Sequence, residues 1–460
     1  MEEALTESTR SDLAKLGVAI PEIMLPSKNI DIEKWAVIAC DQFTQDKHYW
    51  KSVKDFTGSS PSTLQIIFPE CFLDEDGKTE RINKIHDTMN QYLNAKSDED
   101  ENPVLLPRRG GVFVERQCKH GIRKGLILAV DLEKYDWHKG TESLIRASEE
   151  TIFERILPRM DIRMGAPLES PHILLLIDDK ANVLMQVLEM ILVNAPFAYD
   201  APLMMESGAV RGRLLYRKND WGFIAEALEH LYRKSYTYFK SDFLFAVGDG
   251  NHSLATAKEV WEDYKKEHKG DPCLENHPAR FALAEIVNLY DSAIVFEPIH
   301  RLLINVPCEA VLESLRKLPE MSSRKIKTKD ELISLVEDRD ARGNRYGLIS
   351  KDSLLLVESC TTYVSTIDLE PLLQDLVKEH QAGGAAIDYI HGTEELFHFA
   401  RESCDPGEAA QEHTGILLPP FKKEGFFKSV VKNGLLPRKS FSMGDACEKR
   451  FYLECRKLFC

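Results

Sequence analysis

Six consecutive residues, Gly248-Asp249-Gly250-Asn251-His252-Ser253, bring together the groups that phosphate chemistry uses. They follow the apolar run FLFAV and precede LATAKEVWEDYKKEH, whose apolar positions recur at helical spacing. The expected local structure is therefore strand, tight turn, helix. Two glycines let the backbone turn sharply, and a helix starting near His252 or Ser253 offers unbonded N-H groups and a partial positive charge. An anion, typically a phosphate, is stabilised at such a point. Asp249 and His252 lie within one turn of each other, so a carboxylate and an imidazole can share a substrate group or a metal-bound water. The same residues also fit a plainly capped helix, in which Asp249 or Ser253 satisfies backbone N-H groups and His252 packs.

Other candidates are weaker on spacing alone. Arg146 and Glu149 stand three apart in a stretch read as helical after Thr141, which leaves an i, i+3 surface pair as open as a site. Glu297, His300 and Arg301 end an apolar run, where a structural ion pair beside a packed histidine is equally compatible. Arg108-Arg109-Gly110-Gly111 can hold an anion or form a polar hairpin loop, and Arg211-Gly212-Arg213 reads the same way. Asp41, Asp46 and His48 follow a short strand at spacings loose for a metal. Neither a G-x-x-x-x-G-K-[ST] loop nor a G-x-S-x-G elbow occurs.

The elements that must position these residues divide into three stretches, 1–137, 138–305 and 306–460. In the first, WAVIAC and STLQIIF read as strands, GKTERINKIHDTMNQYL as a helix and GVFVERQ with GLILAVDL as a strand pair, with the acidic run SDEDENP a solvated loop. The second holds the strand HILLLID, two helices and the GDGNHS turn. In the third, short helices alternate with strands, and EKRFYLECRKLF reads as a terminal helix. Mixed α and β elements with several long helices predict an α+β (mixed α/β) architecture, with several mixed sheets and flanking helices. At 460 residues, two or three structural units are expected at roughly 150 residues each.

Charge narrows the partners. Lys and Arg number 59 against 74 Asp and Glu, a formal charge of −15, and no basic run exceeds a dipeptide. A nucleic-acid partner is not expected, because each phosphate contact needs a cation. The most apolar stretch, Val183 to Val193, is interrupted by Gln186 and Glu189 and is shorter than the ~20 residues of a bilayer span, so no membrane partner is expected. The acidic, polar N-terminus lacks the pattern of a signal peptide, and the 10 scattered cysteines contain no C-x-x-C pair. A cytoplasmic location with reduced thiols is the expectation.

The GDGNHSLATA segment resembles the D-G-H-H-R-x-x-T-A box of a widespread family, domain of unknown function 1015. Arg146-Ala147-Ser148-Glu149-Glu150-Thr151 resembles its R-P-H-E-x-T box, Glu297-Pro298-Ile299-His300-Arg301 its P-T-H-R box, and Leu436-Pro437-Arg438-Lys439-Ser440 its C-terminal Lys-Ser segment. The resemblance runs from about residue 20 to 455, as one possible continuous family domain. The D-G-H-H-R box is in turn similar to the nucleotide-binding box of the ParB/sulfiredoxin superfamily, which includes free-serine kinases. That resemblance implies a ParB/sulfiredoxin-like central part and a nucleotide-dependent phosphotransferase acting on a small hydroxyl-bearing metabolite such as free L-serine, with ATP or ADP as donor and Mg²⁺. It makes Glu149 the base toward the hydroxyl and places Asp249 and His252 at the reacting phosphate. Gly248, Gly250, Asn251 and Ser253 would cradle phosphates, with Arg146, Thr151, His300, Arg301 and Lys439 as further contacts. The chain departs from the pattern at Ser253, where the family box has Arg, and at Ser148, where the other has His. A hydroxyl cannot replace a bidentate guanidinium, so either Arg146, His300 with Arg301, or Lys439 supplies the positive charge, or the phosphate donor or substrate differs. The alternative is a nucleotide-binding regulatory or sensor protein without significant turnover.

Overall fold

The computed structural model describes residues 7–94, 103–361, 364–401 and 412–459. The acidic run expected as a loop lies, except for Pro103, outside the described residues. The architecture is mixed α/β, with several mixed sheets and flanking helices. Two compact units form, one from Met1–Ile294 with Gly444–Cys460 and the other from Val295–Met443. This differs from a three-way division of the chain: the first two stretches share one sheet, and the last residues return to the same unit, pairing with Val37–Ile38 and Leu168–Glu169.

The first unit is built on a ten-stranded sheet among the described residues. At its centre Leu174–Ile177 runs parallel to Phe281–Asn288 and antiparallel to Phe245–Asp249. Phe245–Asp249 in turn pairs parallel with Ile145–Arg146. All four residues of Leu174–Ile177 are buried, as are Phe245, Ala246 and Val247, which is why these strands read as unbroken apolar runs rather than alternating ones. The helices Val183–Ile191, Lys218–Phe239 and Asn251–Glu267 add Leu188, Trp221, Leu254 and Trp261 to the same core.

In the second unit a seven-stranded sheet carries helices on both faces. Its strands show the period of two: Leu303, Leu348, Val357 and Ile416 pack with the helices Cys308–Leu315 and Ser365–Glu379. Their neighbours Leu302, Ile349, Leu356 and Leu417 face Lys329–Val336 and Thr393–Arg401.

Three local expectations are corrected. The stretch after Thr141 is not helical: Ile145–Arg146 is a strand held between Tyr135–Asp136 and Phe245–Asp249, and the helix begins only at Phe153. STLQIIF is a turn of 3-10 helix at Thr63–Gln65, because Ser62 Oγ accepts from Leu64 N and Thr63 Oγ1 donates to Trp35 O at 2.8 Å. The tail forms the short strands Phe451–Tyr452 and Arg456–Lys457 instead of a helix. Residues 450–456 are buried throughout, so the segment has no solvent face for an amphipathic helix to present. Its charged members are paired inside: Arg450 with Glu285 and Glu454, and Arg456 with Glu169. Among the described residues no helix is long and apolar enough to cross a membrane.

Candidate functional site

The GDGNHS segment folds as strand, turn and helix. Phe245–Asp249 ends the strand, Gly250 turns with φ of 80°, and the helix runs Asn251–Glu267. Gly250 is required twice over: its φ lies in the left-handed region, and a Cβ there would stand 3.2 Å from Ile173 Cα. As N-cap it has no side chain to accept from the first-turn N-H groups. Asp249 accepts from Gly250 N through Oδ1 at 2.9 Å and pairs through Oδ2 with Lys449 Nζ at 3.2 Å.

The segment carrying Glu149 is tied to this turn. Ser148 N donates to Asn251 Oδ1 at 3.2 Å, and Asn251 Nδ2 donates to Ser148 Oγ at 3.4 Å. Ser148 is buried and Glu149 half-buried. Asn251 thus acts through its side chain as a brace, beyond the backbone role expected of it. Thr151 is buried, and its hydroxyl has no hydrogen-bond partner among the described residues. Thr256 Oγ1 donates to His252 O at 2.7 Å, one turn along the helix.

Ser253 meets a residue that the sequence does not single out. Its hydroxyl lies 3.0 Å from His172 Nε2, while His172 Nδ1 is 2.7 Å from Tyr452 OH. Tyr452 OH also accepts from Cys40 N at 3.1 Å, and Asp41 Oδ2 stands 3.5 Å from His172 Nε2. Burial lowers the basicity of His172 more than any single partner raises it, but the Asp41 charge and hydrogen bond together with the charges of Asp249 and Glu70 outweigh it, and the imidazole titrates above its ordinary value. Asp41, despite its own burial, is held well below the usual carboxylate range by His172. Burial raises the Cys40 thiol and the Tyr452 phenol well above theirs, so both stay neutral. The basic side chains of His172 and Lys449 are thus in direct contact with the turn at Ser253 and Asp249. Sequence reasoning missed both because Lys449 is brought in from 200 residues away and His172 heads a strand read only for its apolar run. A cavity of about 150 Å³ adjoins this cluster, lined by Ser253, His172 and Tyr452 and walled by Ile67, Phe68 and Met89.

The remaining expected contacts go elsewhere. Arg146 spends its guanidinium on Ser143 O at 2.8 Å, Asp242 O at 2.8 Å and Ser241 Oγ, and stacks on Phe243. It braces the start of the turn strand. His300, Arg301 and Lys439 belong to the other unit. His300 accepts from Leu418 N at 3.1 Å and is pushed down to about 4 by burial, with the Arg301 charge adding to the effect. Arg301 is buried, bonds Glu370 at 2.9 Å and lies over the Tyr389 ring, which also receives Lys439. Glu149, Asp249, Asn251, His252 and Ser253 share one unit with Arg146; in the second unit Arg301 and Lys439 meet on the Tyr389 ring, while His300 is engaged by Leu418 N.

Among solved structures, free serine kinase in complex with AMP is 11% identical with a TM-score of 0.35, the match covering 72% of this chain and 92% of that one. A variant of free serine kinase in complex with ADP gives 10% and 0.37 with the same coverage. A conserved hypothetical protein from Pyrococcus furiosus gives 10% and 0.33, covering 69% and 89%. No curated protein matches the chain. The model of the family described as "Protein of unknown function (DUF1015)" matches residues 24–375, and the chain belongs to that family.

Proposed function

We propose that this protein is a nucleotide-dependent phosphotransferase that moves a phosphoryl group to the hydroxyl of a small metabolite, with free L-serine the first substrate to try. The observation that carries the reading is the Ser148–Asn251 brace, which fastens the Glu149 segment to a glycine turn flanked by the basic side chains of His172 and Lys449. The side-chain-free N-cap and these two basic groups fit the phosphates of ATP or ADP. The nucleotide supplies the phosphoryl group. Glu149 takes the proton from the acceptor oxygen, a contribution of about 10²–10⁴-fold for a placed base. His252 orients the transferring group from the first turn of the helix, and Lys449 and His172 offset negative charge in place of the arginine that Ser253 replaces. Among the described residues no cluster of three or more His, Cys, Asp or Glu offers a metal site, so Mg²⁺ would be held chiefly by phosphate oxygens, with Asp249 beside them.

The test is phosphorus-31 NMR of the purified chain with Mg²⁺, ATP or ADP, and a pool of hydroxy amino acids and sugars. A new phosphomonoester signal that disappears in Glu149→Gln and in His252→Ala is expected. A second reading, nucleotide sensing without turnover, is favoured by the engagement of both Asp249 oxygens, with Gly250 N and Lys449. Nucleotide binding and thermal stabilisation without any new signal would put that reading first.

A further inference from the structure

A second cavity in the first unit, about 530 Å³, takes no part in the reaction above. Its walls come from the helix Glu7–Lys15, the paired strands Glu22–Pro26 and Leu105–Arg109, the 3-10 turns before Phe281 and the tail strand Arg456–Lys457. None of residues 248–253 lines it.

Two of its arginines are fixed. Arg280 grips Asp131 with both Nε and Nη2, at 3.0 and 2.7 Å, and Arg456 grips Glu169 at 2.7 Å and Pro278 O at 2.9 Å. Three further cations, Arg10, Arg109 and Lys457, are exposed and form no ion pair with any described residue. Arg109 faces Glu22 across the strand pair, in register, yet the two make no ion pair. Glu22 and Glu275 are the exposed acids of the lining, so cations outnumber carboxylates around the cavity by five to four once Glu169, the partner of Arg456, is included. This excess stands out in a chain of net charge −15. Cations gathered on a concave, low-dielectric surface raise the local potential and draw anions in.

We propose that this cleft binds a phosphorylated small molecule with an apolar body. One carboxylate would be matched by one cation, whereas a phosphate monoester carries up to two charges and three acceptor oxygens for Arg10, Arg109 and Lys457. The volume exceeds what a phosphate alone fills and lies in the range of small-molecule sites, about 300–1,000 Å³. Leu13, Val18, Ile20 and Phe281 supply apolar wall for the rest of the ligand.

Phenyl phosphate is the probe, titrated calorimetrically into the full chain and into the Arg10→Gln/Arg109→Gln/Lys457→Gln variant. The wild type is expected to bind it, and the variant to bind about tenfold more weakly or worse, as for the loss of charge-assisted bonds. ADP affinity stays unchanged. Arg109→Gln alone, on an exposed side chain, reads the same loss in smaller measure, and Arg109→Lys restores part of it. Absence of binding to the wild type, or equal binding by the variants, overturns the proposal. A parallel fall in ADP affinity would make the cleft the nucleotide's own site, and tighter binding of a tricarboxylate would give it to a different ligand class; either result also overturns it.

Discussion

Between Asp41 and Ser253, one nitrogen of His172 serves two neighbours. The linkage has a definite sign. His172 titrates above its ordinary 6.5, so the stability it contributes is complete below that value and is lost as pH rises through the higher folded value. Asp41, lowered from 3.8, contributes above that value and loses its share as pH falls through its folded one. The stability difference between wild type and His172→Gln in urea is therefore expected to be larger at about pH 6 than at about pH 8.5. A difference that is flat or grows with pH contradicts this account. Gly250→Ala is expected to cost about 1–3 kcal/mol, since a left-handed φ and the Ile173 backbone oppose the new methyl group together. Lys449→Met should weaken ADP binding while leaving the melting temperature nearly unchanged, because Asp249 keeps its bond from Gly250 N. At this scale the sequence disclosed the turn itself, whose glycines and polar residues are contiguous. Its basic partners were hidden, because they are adjacent only in space.

Strands and helices with one buried face or a wholly apolar run were legible, as Leu174–Ile177 and Asn251–Glu267 illustrate. Failure came where side chains or distant strands, rather than periodicity, decide the backbone. Arg146 and Glu149 have helical spacing, but parallel pairing with Phe245–Ala246 draws the first into a sheet. In the tail, Arg450 and Glu454 also sit four apart as on a helix, while the chain runs extended through the interior. The energetic consequence is large for such a short segment. Arg450→Ala would leave Glu285 and Glu454 buried with their principal cation gone, a loss of about 3–5 kcal/mol measurable by denaturant unfolding. Gly125 belongs to the same arrangement, since a Cβ there would stand 2.4 Å from Glu285 Oε1. Glu448 closes a capping box with Asp445 at the start of this tail, which fixes its entry into the unit.

Each unit buries a core of its own, and the second is inserted into the chain of the first. Scanning calorimetry is expected to resolve two transitions, of which Arg450→Ala lowers one and leaves the other in place. A shift of both by the same amount contradicts independent cores. That short helices alternate with strands in the second unit was visible, whereas the discontinuity of the first was not, because nothing local marks residues 444–460 as belonging with residue 285. That discontinuity bears on how the protein is made. On the ribosome, the first unit emerges with Glu169 and Glu285 in place beside Arg163 and Arg123, while Arg450 and Arg456 are still unsynthesised. At roughly 5–20 residues per second, the wait from residue 294 to residue 450 is on the order of ten seconds. Through that interval Glu169 and Glu285 each lack one of their arginines, and the glycine turn lacks its lysine. Chains truncated before residue 449 are therefore expected to fold the second unit while the first lacks Arg450, Arg456 and Lys449, so that the turn is completed only by the last residues made.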